Sequence, residues 1–494
     1  MLAEIVTPKV DWFALSPALA PLAAAGLALL TAVLVPESVR RGVAALTTIA
    51  GFGAALGLAI AVNEKTDGPI SLIAESMSRD KLGAAVQILL AVIGIVVVLI
   101  SLGDGRRDHV GEYYALLAVS VSGMIFFVTA SNLMTMFLGL EWFSIPLYIL
   151  CALDTHRRAS LESGLKYLIV GSFGSGILLF GCALAYGASG ELGYVAIRNT
   201  PSADTALFAA SMALVLTGLA FKVSAAPFHM WTPDVYQGAP TAITALMSAA
   251  TKAAALVVTL RVLVTVYPEQ SELWTIALAV LIIASLVIGN LGALAQTDLK
   301  RLLAYSSISH AGFALMAIAA NSALGAQALL YYLVPYTAGS LGALAVVAAR
   351  ERELGRPVTI DALSGLGWER PLHGAAMWVF MLGFAGFPLT GGFLGKLYVF
   401  LAIDRAGWWW LVVIGVLATA LSLAYYLKVI RVMYMREAPA LAGAGVVIAA
   451  GGSGRRDNGL DGAILIAAVV TIGSFFLAQP VIDVVRDAAS SLLF

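Results

Sequence analysis

Long apolar stretches follow one another along almost the whole chain and are separated by short polar segments. A helix needs about 20 apolar residues to cross the hydrocarbon core of a bilayer. With that length the sequence predicts about 14 transmembrane helices, at 12–35, 43–62, 82–102, 112–130, 132–152, 164–187, 205–236, 241–264, 272–294, 302–320, 325–348, 372–403, 408–433 and 462–484. The first run is too long for the core of a signal peptide, so we expect a retained helix. The pattern predicts an all-α integral membrane protein.

The composition excludes several classes of function. Only 12% of the 494 residues are charged and 60% are hydrophobic, whereas soluble domains carry about 25% charged residues. The formal net charge is zero, so no basic face indicates nucleic acid. Cys151 and Cys182 lie in apolar runs, where packing between helices is the ordinary role of a free cysteine. With no metal-binding or phosphate-binding motif, we expect this chain to bind no metal and no cofactor itself.

The loop charges predict an orientation. Connections after odd-numbered helices hold 17 Lys and Arg residues, and the even-side connections plus both termini hold 7. Since basic residues accumulate on the cytoplasmic side, the odd connections are expected in the cytoplasm. An even number of helices then places both termini outside.

A small set of charged residues lies inside the predicted helices. A charge at mid-membrane costs about 2.5–3.5 kcal/mol on insertion scales, so each is a functional candidate by default. Glu141 is the only acidic residue expected at the centre of a span. The basic residues within spans are Lys166, Lys222, Lys252, Arg261 and Lys396. We expect Arg261, near a helix end, to reach the outer interface with its long side chain.

Glu141 and Lys222 are expected to pair, because an unpaired buried carboxylate would take up a proton instead. Lys222 lies five residues before Pro227, which cannot donate a backbone hydrogen bond and therefore breaks the seventh helix. Broken helices at membrane depth occur where protein or water satisfies the freed backbone. A purely structural ion pair is the alternative for these two residues.

Further candidates follow from depth and from neighbouring residues. Lys252 lies mid-helix, Lys396 follows a second Gly/Pro-rich break at 386–395, and His310 lies among serines able to order water. His229 adjoins Pro227, and Lys166 lies about one turn inside its helix. The alternatives are a structural role for Lys252, snorkelling side chains for Lys166 and Lys396, and satisfied core histidines for His310 and His229.

The two broken helices, seventh and twelfth, are five helices apart. Because an odd number of helices reverses the orientation of a unit, helices 4–8 and 9–13 are predicted to form two inverted repeats. The expected units are three N-terminal helices (1–110), the first repeat (111–265), the second repeat (266–436), and a loop with the last helix (437–494).

Three stretches carry a resemblance to a known family. Phe137–Pro146, Leu219–Ala242 and Asp298–Ile308 resemble the antiporter-like subunits of respiratory complex I, and the resemblance runs from about residue 110 to 435. The part from Lys222 to Pro240 is highly specific. The length, the absence of a long lateral helix at the C-terminal end, and Lys at 396 are most similar to the N-subunit branch. In such subunits the matching positions make Glu141 and Lys222 a modulating pair, and Lys252 and Lys396 part of a proton path, with Lys166 on the sixth helix.

The resemblance implies a non-redox, proton-translocating subunit of NADH:quinone oxidoreductase in a bacterial plasma membrane. NADH, flavin, iron–sulfur clusters and quinone are expected in partner subunits, and the other membrane subunits should include a second antiporter-like one. The expected proton path runs from the cytoplasm to Lys222, then through Lys252 and His310 by ordered water to Lys396. Two alternatives stay open, a subunit of a multi-subunit sodium/proton antiporter and a passive membrane scaffold.

Overall fold

A computed structural model describes residues 10–104, 109–200, 205–437 and 457–492. Thirteen helices in these ranges are long and apolar enough to cross a membrane. A shorter apolar helix, Pro371–Ala385, continues after an interruption as Gly391–Arg405 and forms the remaining crossing. The prediction of an all-α membrane protein with about 14 transmembrane helices is confirmed.

The helices are, in chain order, α1 (Trp12–Leu34), α2 (Glu37–Glu64), α3 (Lys81–Ser101), α4 (Val110–Phe127), α5 (Leu133–Ala152), α6 (Arg158–Ser189), α7 (Tyr194–Asn199), α8 (Thr205–Val223), α9 (Trp231–Gly238), α10 (Thr241–Leu246), α11 (Lys252–Val266), α12 (Ser271–Leu294), α13 (Leu299–Ala319), α14 (Ala323–Leu354), α15 (Leu366–Glu369), α16 (Pro371–Ala385), α17 (Gly391–Arg405), α18 (Trp409–Met435), α19 (Asn458–Phe476) and α20 (Ala478–Ala489). A π-helical turn, Met247–Thr251, joins α10 to α11, and short 3₁₀ turns lie at Pro268–Gln270 and Asp361–Leu363.

The centre of the molecule is formed by α10, α11, α13 and α14. Every residue of α11 is buried, and α14 contacts α10, α13, α16, α17 and α19. Peripheral helices instead expose large apolar side chains such as Val33, Phe173 and Leu417. Apolar surface that faces outward over many helices is what a lipid environment requires. The polar candidates on the central helices are therefore shielded from lipid.

The first interruption separates α8 from α9, as Pro227 predicts. The freed backbone groups find partners on neighbouring elements. The Ala226 amide donates to the Ser285 hydroxyl of α12 at 2.8 Å, and the Trp231 indole donates to the Phe221 carbonyl at 3.1 Å. Irregular backbone at membrane depth is tolerated when protein groups satisfy it in this way.

The second interruption separates α16 from α17. Gly386 has a φ of 76°, a left-handed conformation that glycine adopts without steric cost. The Phe387 amide donates to the Leu382 carbonyl at 2.9 Å, and the Lys396 ammonium donates to the Ala385 carbonyl at 3.2 Å. Both broken helices of the prediction are therefore present. The inverted arrangement of the two five-helix units stays a prediction, as do the domain bounds. The loop part of the last predicted unit, residues 438–456, lies outside the described residues.

Several elements differ from the predicted spans. The last span, predicted to run to residue 484, ends at Phe476, and α20 follows as a separate amphipathic helix with Val481, Ile482 and Val485 packed on the core. A two-stranded antiparallel hairpin, β1 (Ile70–Leu72) and β2 (Met77–Arg79), lies between α2 and α3. Its strands are too short for a periodic signal in the sequence.

The expectation for Arg261 is wrong. Its side chain is only 7% exposed and forms two hydrogen bonds to Asp80, at 2.6 and 2.8 Å. Burial alone would raise the pKa of the Asp80 carboxyl, but the Arg261 guanidinium beside it outweighs burial and holds that pKa below its usual value. The pair joins α11 to the start of α3, so Arg261 stays inside the protein instead of reaching the outer interface.

Candidate functional site

Three lysines lie buried in the helical core. Lys222, Lys252 and Lys396 are 2%, 1% and 4% exposed. Each lies where a helix is irregular: at the last turn of α8, directly after the π-helical turn, and on the second turn after the break before α17. Local departures from α-helix leave backbone groups free to bind polar side chains or water. The sequence identified all three positions from their depth.

Lys222 lies in an aromatic chamber next to α5. Its ammonium donates to the Ser144 hydroxyl at 2.8 Å and lies 5.6 Å from the centroids of the Phe143, Tyr148 and Tyr167 rings. Aromatic faces attract a cation most strongly where water is excluded. The surroundings thus accommodate an ammonium without an acidic group in contact.

Glu141 lies one turn before Ser144 on α5. It is within electrostatic range of Lys222, but no ion pair within 4.0 Å joins the two side chains. The Glu141 Oε1 atom is buried and has no hydrogen-bond partner among the described residues. The two expected partners are therefore neighbours without an ion-pair contact, and the Ser144 hydroxyl accepts the hydrogen bond from Lys222 that was expected to go to the carboxylate.

Lys252 differs from Lys222 in being bound by two oxygens of a single residue. Its ammonium donates to the Ser307 carbonyl at 2.5 Å and to the Ser307 hydroxyl at 2.8 Å. Ser307 lies on α13, one turn before His310. The structure thus brings Lys252 of α11 against the same stretch of α13 that carries His310.

His310 is held between two tyrosines. Its Nδ1 lies 2.5 Å from the Tyr332 hydroxyl and its Nε2 lies 3.1 Å from the Tyr426 hydroxyl. Tyr426 in turn lies 2.6 Å from the Ser306 hydroxyl. Both ring nitrogens are therefore engaged, and the imidazole can pass a proton between two hydroxyl partners without moving. His310 is a satisfied core histidine that also links polar groups of α13, α14 and α18.

A small polar cavity lies beside Ser307, which binds Lys252, and Ser306, which contacts the Tyr426 partner of His310. The centre of a water molecule can occupy about 10 Å³ of this cavity. Its wall contains the hydroxyl groups of Tyr236, Ser306, Ser307, Tyr336 and Ser340. The Tyr236 and Tyr336 hydroxyls are buried and have no hydrogen-bond partner among the described residues. A space of this size with polar partners holds about one water molecule.

Lys396 lies at the far end of this set. Besides the Ala385 carbonyl, its ammonium approaches the Thr419 hydroxyl at 3.4 Å and lies 4.6 Å from the centroid of the Phe313 ring. Phe313 is one turn beyond His310 on α13 and packs against it, with ring centroids 6.3 Å apart. His310 and Lys396 are therefore neighbours separated by an aromatic ring.

Two candidates stand apart from the buried set. The Lys166 side chain is 42% exposed and pairs with Glu162 at 2.7 Å and Asp234 at 2.8 Å. Arg301 also pairs with Asp234, at 2.5 Å. His229 lies in the first interruption, partly buried, and its Nδ1 has no hydrogen-bond partner among the described residues. Neither side chain hydrogen-bonds to the lysines of the core.

A fourth buried lysine escaped the sequence analysis. Lys300, counted there among the loop residues, is 1% exposed. It donates to the Ala239 carbonyl at 2.8 Å and to the Thr241 hydroxyl at 3.2 Å, and lies 3.6 Å from Glu351. It is covered because α14 continues to Leu354, beyond its predicted end at 348. The residues Asp298 to Ile308 that carried the family resemblance were the available signal.

Comparison with known proteins gives consistent likenesses. A family model described as NADH:quinone oxidoreductase/Mrp antiporter, transmembrane, matches residues 130–422. The NADH-quinone oxidoreductase subunit N of Salinibacter ruber is 42% identical over 418 residues, which cover 83% of each chain. The subunit N 2 of Roseiflexus castenholzii is 38% identical over 507 residues and covers 98% of each chain.

Solved structures show the same architecture. A chain of respiratory complex I from Thermus thermophilus is 33% identical, with a TM-score of 0.77 over 94% of this chain and 98% of that one. A chain of the Mrp complex from a Dietzia species is 23% identical, with a TM-score of 0.84 over 97% of each chain. The second likeness concerns the fold alone.

Proposed function

Because the chain belongs to the family of NADH:quinone oxidoreductase and Mrp antiporter transmembrane subunits, we propose that it is the N subunit of an NADH:quinone oxidoreductase. In this role it moves protons across the bacterial plasma membrane, from the cytoplasm to the outside, with both termini outside. The observation that carries the proposal is the buried set of Lys222, Lys252, His310 and Lys396. Near Lys252 and His310 this set is accompanied by hydroxyl groups and by a cavity with room for water.

The cost of burying these groups supports a transport role. Each charge at mid-membrane costs about 2.5–3.5 kcal/mol, and packing alone is achieved more cheaply by apolar residues. None of the three lysines has an acidic side chain in ion-pair contact within the described residues. No carboxylate in contact therefore fixes the proton on any of them, as a proton carrier requires.

The first step is an exchange at Lys222. With the Glu141 charge nearby, the ammonium form is favoured, and Ser144 accepts one of its hydrogen bonds. If Glu141 moves away, desolvation favours the neutral amine and the proton leaves. Moving one charge against 100 mV costs about 2.3 kcal/mol. The change in electrostatic free energy at Lys222 when the Glu141 charge moves away can supply that amount.

The later steps use the second region. Lys252 takes up the proton and passes it through Ser307 and a water in the cavity towards His310. The imidazole accepts on one nitrogen and donates from the other, and Lys396 then delivers the proton to the outer side. Lys166, with Asp234 and Arg301, belongs at the entrance, and His229 lines the first interruption. These roles are part of the proposal.

The driving energy has its source outside this chain. We place NADH, flavin, iron–sulfur clusters and quinone in partner subunits, and a second antiporter-like subunit beside this one in the membrane. This chain then contributes proton transfer to the enzyme without redox chemistry of its own. The names of the curated relatives favour this assembly over a sodium/proton antiporter, whose likeness at 23% identity concerns the fold.

Copurification tests the assignment directly. The tagged chain is extracted in mild detergent, and NADH:quinone reductase activity is measured in the eluate. Activity that follows the chain supports the proposal. Intact chain that copurifies with sodium/proton exchange subunits and no reductase activity transfers the assignment to the antiporter. Reductase activity with unchanged pumping after Lys222 is replaced by alanine would leave only the scaffold role.

A further inference from the structure

A groove on the membrane-facing surface lies between α16 and α18, apart from the buried lysines. It has a volume of about 850 Å³, and its wall combines Trp378 of α16 with Ala424, Leu427, Lys428 and Arg431 of α18. The wall is mostly apolar, and its two basic residues, Lys428 and Arg431, lie along α18 between Leu427 and Tyr434. No residue of its wall is acidic.

The length of the groove corresponds to one leaflet of a bilayer. Ala424, Lys428, Arg431 and Met435 follow at intervals of four, three and four residues and so occupy one face of α18. From Ala424 to Met435 the helix rises about 16 Å, at about 1.5 Å per residue. Half of a hydrocarbon core about 30 Å thick is about 15 Å. The groove is therefore about as long as one leaflet is thick and is too short for a helix that spans both.

The basic residues of the groove carry unmatched charge. The one hydrogen bond of the Lys428 ammonium goes to the Gln296 carbonyl, at 3.4 Å, beyond the end of α12. Arg431 makes no hydrogen bond or ion pair with any described residue, and both side chains are exposed. Nearby Arg436, in contrast, pairs with Asp361 at 2.5 Å. Within the part of the chain that the structure describes, these two cations in a mostly apolar groove, about two turns or less from the end of α18, have no acidic partner.

Aromatic side chains of the groove indicate the depth of its basic residues in the membrane. Trp378 is 45% exposed, and Tyr434 lies in the wall near Arg431. Trp and Tyr are enriched where the hydrocarbon core meets the headgroups, since their rings are apolar and carry one polar group. Arg431 is therefore placed near the headgroups, and Ala424 lies deeper.

We propose that this groove binds an anionic phospholipid. The acyl chain lies along Ala424 and Leu427, and the phosphate lies between Lys428 and Arg431. Basic pockets between transmembrane helices bind anionic headgroups in this manner, and each Lys or Arg near the surface raises the affinity about fivefold. The proposal is independent of proton transfer, because none of these residues contacts the buried set.

The test is photo-crosslinking in the assembled complex. Trp378 is replaced by p-benzoylphenylalanine, and the complex is reconstituted in nanodiscs of equal parts phosphatidylglycerol and phosphatidylcholine. Mass spectrometry after illumination should show more phosphatidylglycerol adduct than phosphatidylcholine adduct. Lys428→Gln with Arg431→Gln should lower that adduct by an order of magnitude or more. The control pair Arg405→Gln with Arg436→Gln removes two charges outside the groove and should leave it unchanged.

The other outcomes overturn the proposal. Equal adducts of the two lipids, or adducts unaffected by the Lys428 and Arg431 changes, show an unspecific lipid contact. A peptide adduct shows that a partner subunit, or residues 438–456 of this chain, covers the groove. Absence of any adduct shows that the groove holds no lipid. Ala424→Trp provides a second measurement, since it fills the groove without changing charge and should displace the lipid.

Discussion

The surroundings of Lys222 and of Lys252 differ in what they offer a buried ammonium. Lys222 lies among aromatic rings with one hydroxyl contact, and the charge of Glu141 lies nearby without touching it. Lys252 has no carboxylate in contact and is held by the oxygens of Ser307, next to a polar cavity and His310. Lys222 therefore has a neighbour, Glu141, that can change its charge state. Lys252 has neighbours, Ser307 and His310, that can carry its proton onward.

The difference suggests a division of labour between the two regions. A site governed by a nearby charge responds to any movement or protonation of that charge, so the first region suits control. A chain of hydroxyls and imidazole nitrogens transmits protons with little rearrangement, so the second region suits conduction. If this division holds, substitutions in the first region should act through charge, and those in the second through the loss of hydrogen-bonding groups.

The largest effect is expected in the first region. Lys222→Gln removes the chargeable group and should lower proton pumping by about 10²-fold, the usual contribution of a positioned proton-transfer group. Glu141→Gln should act through the same lysine, so the double variant should be no worse than Lys222→Gln alone. Pumping per electron transferred in proteoliposomes measures this. Additive losses would show that the two residues act separately. That result would contradict the control role assigned to the region around Lys222.

In the second region, His310→Phe should lower pumping by about tenfold. The ring volume is roughly kept, but the Tyr332 hydroxyl loses its imidazole partner, at a cost of about 1–3 kcal/mol for an unsatisfied buried group. The Tyr426 hydroxyl also loses the imidazole but keeps its contact with Ser306. Tyr426→Phe should have a smaller effect in the same direction, while Phe313→Leu, which removes no hydrogen bond, serves as control. Equal losses in all three variants would indicate that packing governs this region.

Asp80→Asn provides a contrast, because its buried charge pair is structural. Breaking a buried pair costs about 3–5 kcal/mol, so thermal stability should fall while pumping per assembled complex stays unchanged. Because Arg261 depresses the pKa of Asp80, the stabilisation is present above the unfolded-state pKa and is lost as the pH falls through the lower folded-state pKa. Thermal unfolding of wild type and variant across that acid range checks both statements.

The smallest effect is expected at Lys166. Its side chain is 42% exposed in ion pairs with Glu162 and Asp234, and exposed pairs contribute at most about 1 kcal/mol. Lys166→Gln should therefore lower pumping by less than about fivefold. A loss as large as that of Lys222→Gln would move Lys166 from the entrance into the path.

The sequence predicted those features that depend on local composition. Apolar length gave the number of spans, Pro227 and the glycines after 386 gave the two interruptions, and hydropathy alone marked Lys222, Lys252 and Lys396. Each of these signals lies within about one helix of the residue concerned, so no knowledge of tertiary contacts was needed.

Features that depend on distant contacts were missed. Arg261 bonds to Asp80 across 181 positions, and nothing near either residue indicates its partner. Ser307 was recognised only as one of several serines near His310, since its contact with Lys252 arises from packing of α13 against α11. Tyr332 and Tyr426 resemble core aromatics in sequence. The one usable signal was the spacing of Tyr332 and Tyr336, four residues apart on one helical face.

The most direct test of the central claim is the ratio of protons pumped to electrons transferred after Lys252→Ala, with Lys81→Ala as the matched control. Lys81 pairs with Asp487 at 2.7 Å on the surface, so its loss should leave the ratio at the wild-type value. If protons pass through the second region, Lys252→Ala lowers the ratio while the complex still assembles and oxidises NADH. A wild-type ratio in assembled Lys252→Ala complex would contradict the proposed path.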